Sequence, residues 1–419
     1  MNRLAYSVLW HFGLPLIGLR LLYRARKQPE YLQHLAERFG AAPLAGKCPR
    51  IWLHAVSVGE TRAAQPLVKA LLTQYPQHDI LLTHMTPTGR ATGAELFATE
   101  PRVHSCYLPY DFPWAQRRFL QRARPQLGIV METEVWPNLM HAAEVAGVPM
   151  LLVNARLSAR SARGYQRLGQ LARATFGRFT KVLAQTADDA ERLRACGART
   201  TEVCGNMKFD VELNPALLAR GTEFKQTAGG RPIILAASTR EGEEAPLLAA
   251  FARHAPAQAL LVLVPRHPQR FDEVATLVAQ HGLSLQRRSS GEAIAPATRV
   301  WLGDSMGEMV AYYRMADVAI IGGSWQPLGG QNLIEACAAG TPVLVGPHTF
   351  NFTEAATQAI AAGAARRCPD LDQALATCAQ LLADATARQA MGKAGQAFAE
   401  ANRGATRRTL QAIGQVLPT

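Results

Sequence analysis

The chain has 419 residues, 48% of them apolar, enough for the cores of two or three domains; a disordered chain and a small stapled scaffold are excluded. Lys and Arg outnumber Asp and Glu by 45 to 32, and a net charge of +13 favours an anionic partner such as a phosphorylated substrate or an anionic membrane surface. There is no basic tail and only 7% of residues are aromatic, so no nucleic acid is expected.

The seven cysteines form no C-x-x-C pair and lie in apolar or helical stretches, as reduced core thiols do, which places the main body in the cytoplasm. Residues 4–22 form a largely apolar segment with one His (His11) and one Arg (Arg20) and run into the basic flank Tyr23-Arg24-Ala25-Arg26-Lys27. A secretory signal carries its charge in front of the apolar run and a small-residue cleavage site behind it, and neither is seen. The expectation is a retained anchor over residues 1–27 that either spans the bilayer or lies in its interface, with the body on the cytoplasmic side.

From residue 51 onward short apolar runs alternate with amphipathic stretches. Runs at 51–56, 79–83, 127–131, 150–154 and 181–184 read as strands, the pattern of a parallel sheet. The pattern breaks over 205–231, which contains Pro215 and the Gly229-Gly230 pair and reads as an interdomain connection over 211–230. A second set of strands follows at 233–236, 259–264, 299–302, 318–321 and 343–345, and the end of the chain is helical. The expected architecture is therefore α/β: two Rossmann-like, doubly wound domains facing a cleft, over 28–210 and 231–385, with helices 386–419 free to return across the first domain. Open parallel sheets bind ligands at the carboxyl ends of their strands, so the loops there are where chemistry is sought.

The first such loop is HAVSVGE at 54–60, a strand running through a small-residue turn (Ser57, Gly59) into a helix with Glu60 at its start. A helix N-terminus favours an ionised carboxylate, which suits a general base removing a proton from an attacking hydroxyl. The bland reading is a helix-capping glutamate. METEVWPN at 131–138 brings Glu132 and Glu134 to another strand end, either to orient sugar hydroxyls or stabilise positive charge, or again to cap a helix. Lys208, in the presumed connection, is either a cation for a departing phosphate or a solvated linker lysine.

In the second half, Ser238-Thr239-Arg240 and Pro265-Arg266-His267 put cations at strand ends, which points to an anionic ligand. Met306-Gly307-Glu308 and Gly323-Ser324 lie in glycine turns whose N–H groups can approach a phosphate or a base. In Gly329-Gly330-Gln331-Asn332-Leu333-Ile334-Glu335 a glycine pair opens a helix for phosphate, and Glu335 is placed to accept from ribose hydroxyls. Nucleotide binding is the inference. There is no P-loop, no G-x-G-x-x-G and no zinc-ligand spacing, so neither a metal nor any other cofactor is expected.

With these segments in view the chain resembles the 3-deoxy-D-manno-octulosonic acid (Kdo) transferases of glycosyltransferase family 30. The resemblance rests on HAVSVGE at 54–60, METEVWPNL at 131–139, NARLSARS at 154–161, NMKFD at 206–210, PRHP at 265–268, DSMGEM at 304–309, GGSWQPLGGQNLIEA at 322–336 and GPHTFNF at 346–352. It implies a GT-B fold, an acceptor domain followed by a nucleotide-sugar domain, CMP-Kdo as donor and a phosphorylated, acylated lipid A precursor (lipid IVA) as acceptor at an anionic inner membrane. It implies Glu60 as base of an inverting transfer, Glu132 and Lys208 in support of the transition state, Ser57, Gly59 and Glu134 toward the acceptor. CMP would meet the post-strand residues of the second domain, Arg266, His267, Met306–Glu308 and Asn332–Glu335 foremost. The loop after GGS departs from the family, with Trp325-Gln326-Pro327-Leu328 where members commonly carry a charge. Another GT-B enzyme using a UDP-sugar, and a membrane-bound nucleotide-sugar or lipid binder without turnover, are the competing readings.

Overall fold

In the computed structural model, residues 2–42 and 48–417 are described. The chain divides into two compact units, one formed by Met1–Asp210 with Arg403–Thr419, the other by Val211–Asn402.

In the first unit seven parallel strands are ordered β3-β2-β1-β4-β5-β6-β7: β1 Arg50–His54, β2 Asp79–His84, β3 Val103–Tyr107, β4 Pro125–Met131, β5 Met150–Ala155, β6 Lys181–Ala184 and β7 Thr201–Val203. Side chains alternate across this sheet as strand geometry requires. Trp52, Leu81, Val130 and Leu152 enter one core, and Ile51, Leu53, Ile80, Leu82, Ile129 and Val153 the other. Both faces are covered, so the strands are apolar nearly throughout. The last helix, Ala405–Gly414, joins the second of these cores through Ala405, Ala412 and Ile413.

The second unit repeats the plan with the order β10-β11-β9-β8-β12-β13-β14: β8 Ile233–Thr239, β9 Leu260–Pro265, β10 Leu285–Arg287, β11 Val300–Leu302, β12 Val318–Ile321, β13 Val343–Val345 and β14 Ala365–Arg367, again all parallel. Residues 211–230 are not an open connection. They hold the helix Pro215–Thr227, capped by the Asn214 side chain and started by proline, both strong initiation signals. Gly221 brings this helix against the helix Met309–Met315, since a Cβ there would lie 2.5 Å from the Ala311 carbonyl. The helix Ala385–Ala401 also belongs to the second unit.

At the N-terminus the apolar segment is two helices, Arg3–Phe12 and Leu14–Ala25, bent by 52° at Gly13 with Pro15 in the first turn of the second. Among the described residues no single helix is long and apolar enough to cross a membrane. The first of the pair is docked on its unit. Trp10 meets Phe112 and Trp136 edge-on at 5.6 and 6.0 Å, and the Ser7 hydroxyl donates to Asn138 Oδ1 at 2.8 Å. Leu4, Val8, Leu9, Phe12, Leu16, Leu19 and Leu22 remain exposed.

Candidate active site

In a doubly wound sheet the loops on either side of the point where strand order reverses diverge and leave a crevice. In the first unit that point lies between β1 and β4. The loops leaving these two strands are the ones that carry Glu60 and Glu132-Thr133-Glu134.

Glu60 sits in the first turn of the helix Val58–Gln74 and is half-buried. Its carboxylate accepts from the Val56 N–H at 2.9 Å and from the Ser57 hydroxyl at 3.1 Å, which fixes it against the turn that bears it. A helix N-terminus was expected to keep this group ionised. Burial prevails instead and pushes it up to about 7, with the charges of Glu132 and Glu134 adding and the hydrogen bonds from Val56 and Ser57 opposing. The carboxyl is thus divided between its two forms near neutral pH, the range in which a general base is most effective.

Glu132 adopts φ 55°, a left-handed backbone that a non-glycine residue occupies at a cost of order 1 kcal/mol. The strain turns the chain at the end of β4 and leaves the Glu132 carboxylate 3.7 Å from Lys208 Nζ. Lys208 is no linker lysine. It lies in the 3-10 turn Met207–Phe209 of the first unit, and the Met207 N–H is held by Asn154 Oδ1 at 3.0 Å. Asn154, the penultimate residue of β5, has φ 51° and is almost wholly buried, and no sequence signal beyond its place in NARLSARS marked it as the residue that seats Lys208. Burial also raises Glu134, and the Glu132 charge adds to it.

Beneath this group two histidines missed in the sequence, His54 and His84, are fully buried, and burial pushes them down to about 3 and about 4. Both are therefore neutral. His84 Nδ1 lies 3.0 Å from the Ala55 carbonyl and 3.4 Å from the Thr61 hydroxyl, so it ties the end of β1 to the start of the helix that carries Glu60.

In the second unit strand order reverses between β8 and β12; Ser238 lies near the end of β8, and the loops that follow hold Arg240, Gly323 and Ser324. Glycine is required at 322 because a Cβ would lie 2.4 Å from the Ser238 carbonyl. The two turns are joined by Glu243, a buried carboxylate that accepts the N–H of Arg240 at 2.9 Å, Gly323 at 2.7 Å and Trp325 at 3.1 Å. Arg240, Arg266 and His267 gather with Arg270. Burial lowers His267, and these three guanidinium groups lower it further. A locally cationic edge at two strand ends is what a phosphate needs.

The remaining predicted residues divide. Pro265, Ser324, Leu333 and Ile334 are buried, and the Ser324 hydroxyl is engaged with the Ile321 carbonyl and the Gly346 N–H, so this turn presents backbone to a ligand. Gly329 and Gly330 have φ 90° and 75°, and precede the short helix Ile334–Ala338 instead of opening it. Glu335 is in its first turn and accepts from the Asn332 amide at 2.9 Å. Met306 and Gly307 are exposed. Glu308 accepts from Arg220 at 2.8 Å, Arg288 at 3.2 Å and Ser305 at 2.5 Å. Burial would raise it, but these hydrogen bonds and charges outweigh that and hold it below the ordinary carboxylate range. Among the described residues no three His, Cys, Asp or Glu side chains gather as metal ligands do.

Two doubly wound parallel-sheet units with polar groups at their switch points are the plan of the GT-B fold. Residues 33–211 match the family model described as 3-Deoxy-D-manno-octulosonic-acid transferase (kdotransferase), and residues 280–398 match Glycosyl transferases group 1. A 3-deoxy-D-manno-octulosonic acid transferase of Bordetella pertussis is 50% identical over 99% of both chains, and one of Haemophilus influenzae is 37% identical over 99% of this chain and 98% of its own. The chain belongs to the 3-deoxy-D-manno-octulosonic acid transferases, glycosyltransferases of lipopolysaccharide biosynthesis. A crystal structure of a glycosyltransferase from Rickettsia africae ESF-5, 14% identical, covers 89% of this chain and all of its own with a TM-score of 0.59, a likeness of fold alone.

Proposed function

We propose that the chain transfers Kdo from CMP-Kdo to a hydroxyl of a lipid A precursor with inversion at the anomeric carbon, and that Glu60 is the base. The observation that carries this reading is the Glu60 carboxyl itself: half-buried at a switch point, poised at about 7, and flanked by the Glu132–Lys208 pair. Glu60 takes the proton of the acceptor hydroxyl, and the oxygen attacks the anomeric carbon. The bond from that carbon to the phosphate oxygen breaks, and CMP leaves with the electron pair. Glu132 faces the positive charge that develops on the sugar, and Lys208 keeps Glu132 in place. Arg240, Arg266 and His267 receive the phosphate, so charge neutralisation is assigned to side chains and not to a metal.

Turnover of wild type and Glu60→Gln with CMP-Kdo and tetraacylated lipid A precursor, with products resolved by mass, tests the assignment. The expected loss is about 10²- to 10⁴-fold in kcat with CMP affinity retained. A fully active Glu60→Gln would remove Glu60 from the mechanism. An inert wild type would remove the donor or the acceptor.

The same reading places the chain on the cytoplasmic face of the inner membrane. The exposed Leu4, Phe12, Leu16 and Leu19 form an apolar surface on the bent helix pair, with Arg20, Arg24, Arg26 and Lys27 beside it, the pattern of helices lying in an anionic interface. Leu16→Ser with Leu19→Ser is expected to abolish co-sedimentation with phosphatidylglycerol vesicles while transfer in detergent persists. Retained sedimentation would relocate the contact.

A further inference from the structure

One peptide group stands between the Glu60 carboxylate and a buried histidine. The carboxylate accepts the Val56 N–H at 2.9 Å, and that N–H belongs to the same planar amide as the Ala55 carbonyl. The carbonyl lies 3.0 Å from Nδ1 of His84, at the end of the neighbouring strand β2. The line from ring to carboxylate therefore runs through a single rigid unit.

What faces each ring nitrogen fixes the direction of this line. Nδ1 meets the Ala55 carbonyl, which has no proton to give, and the Thr61 oxygen at 3.4 Å, whose own proton goes to the Ser57 carbonyl at 2.8 Å. Two acceptors require a donor, so Nδ1 carries the ring hydrogen. Nε2 is buried without a hydrogen-bond partner among the described residues. Gly93, in the helix Pro87–Leu96, closes it off, since a Cβ there would lie 2.8 Å from this nitrogen. A second proton would leave a buried N–H unsatisfied, and burial pushes the ring down to about 4, with the Ala55 carbonyl opposing and the charge of Arg90 adding. Arg90 is itself paired with Glu37, and His54, the other ring beneath the site, is neutral as well.

The end of β2 holds the next carbonyl too. The Met85 N–H and the Thr86 hydroxyl donate to the Val56 carbonyl at 3.3 and 3.2 Å. These bonds fix the backbone of the turn, whereas the His84 bond falls on the amide whose N–H reaches Glu60. A donor on a carbonyl polarises the amide and makes its N–H a stronger donor. Here that N–H is one of the groups that oppose the rise of Glu60.

We propose that His84 is a positioning residue for Glu60: its Nδ1–H, acting through the Ala55–Val56 peptide, aims and strengthens the Val56 N–H on the Glu60 carboxylate and so favours the ionised form that takes a proton. This rests on the reading of Glu60 as the base. The ring is buried and stays neutral, so it works through the amide and exchanges no proton itself.

The test is a pH profile of kcat/KM. His84→Phe keeps a ring and removes the donor, and His84→Asn returns an amide N–H near the place of Nδ1. Glu132 and Glu134, whose charges act on Glu60, and Lys208 beside Glu132 are untouched by either change. In His84→Phe the acid limb is expected to rise by roughly half a pH unit, a loss of about threefold on the acid side that vanishes on the alkaline side, while His84→Asn follows wild type. A loss equal at every pH, or an asparagine variant no better than phenylalanine, overturns the proposal. Nitrogen NMR of the wild-type chain carrying labelled histidine needs no variant to fold: His84 is expected neutral with its hydrogen on Nδ1, and a hydrogen on Nε2 overturns the proposal. Carbon NMR of the Glu60 carboxyl, titrated without substrate, separates the two readings. If its midpoint rises in His84→Phe while Glu60→Gln remains fully active, the positioning role stands and the base assignment falls; if the midpoint stays, the positioning role falls.

Discussion

Lys208 Nζ lies 3.7 Å from the Glu132 carboxylate, and Glu132 is one of the two charges that raise Glu60. The cation therefore acts on Glu60, the base of the proposed mechanism, through a carboxylate. Removing it as Lys208→Met leaves the Glu132 charge uncompensated, so Glu60 holds its proton to higher pH. The acid limb of the kcat/KM profile, expected near pH 7 in wild type, moves upward, and kcat falls by roughly 10²-fold from lost charge stabilisation. Glu132→Gln moves the same limb downward. A pH profile that stays in place in both variants would uncouple the pair from Glu60.

Glu60 also weakens the fold near neutral pH. Its carboxyl titrates at about 7 in the folded chain against an ordinary value of 4.5, so between these values the folded state binds the extra proton. Stability from this group is fully present below pH 4.5 and is lost as pH rises through 7. Glu60→Gln cannot ionise and should raise Tm by a few degrees at pH 8 and by nothing at pH 4.5. An equal shift at both values would mean that packing, not ionisation, is responsible.

Asp210 sits just before the boundary of the two units, and its carboxylate accepts the N–H groups of Gly404 and Thr406. These are N–H groups at the start of the helix Ala405–Gly414, where an acidic acceptor is favoured. Asp210→Ala should cost the first unit about 1–2 kcal/mol. Hydrogen exchange would then be faster over residues 403–417, with no change in CMP affinity. Unaltered exchange in that helix would show that Ile413 and its neighbours hold it without the cap.

Ten of the fourteen strands were legible as apolar runs, and the four that were not, β3, β7, β10 and β14, are the four sheet edges. An edge strand is covered less completely, so Val103–Tyr107, Thr201–Val203, Leu285–Arg287 and Ala365–Arg367 carry polar residues where central strands carry Val, Ile and Leu. The site was legible where chemistry is local. Glu60 with Ser57 is visible as a helix start, and Glu132 and Glu134 as a strand end. The charge state of Glu60 was not, since burial against the helix dipole is a tertiary balance. What seats the Lys208 turn was not legible, because its holder, Asn154, lies more than fifty residues away in sequence.

Glu243 shows the same limit most sharply. As sequence it is one acid among three at the start of a helix, yet its two oxygens collect N–H groups from residues as far as 82 positions away. The Arg240 turn after β8 and the Gly323 turn after β12 are thereby fixed at one carboxylate, and in the proposed mechanism Arg240 meets the CMP phosphate. Glu243→Ala leaves three N–H groups without their acceptor, that of Gly323 buried and those of Arg240 and Trp325 partly so, a cost of about 2 kcal/mol or more. Glu243→Gln keeps one oxygen and should cost less. Both are expected to weaken CMP binding by calorimetry, the alanine variant more, and to lower the unfolding midpoint of the second unit in the same order. If CMP affinity is unchanged while stability falls, the two turns reach the nucleotide independently of Glu243, and the phosphate contact must be carried by Arg266 and His267 from the end of β9.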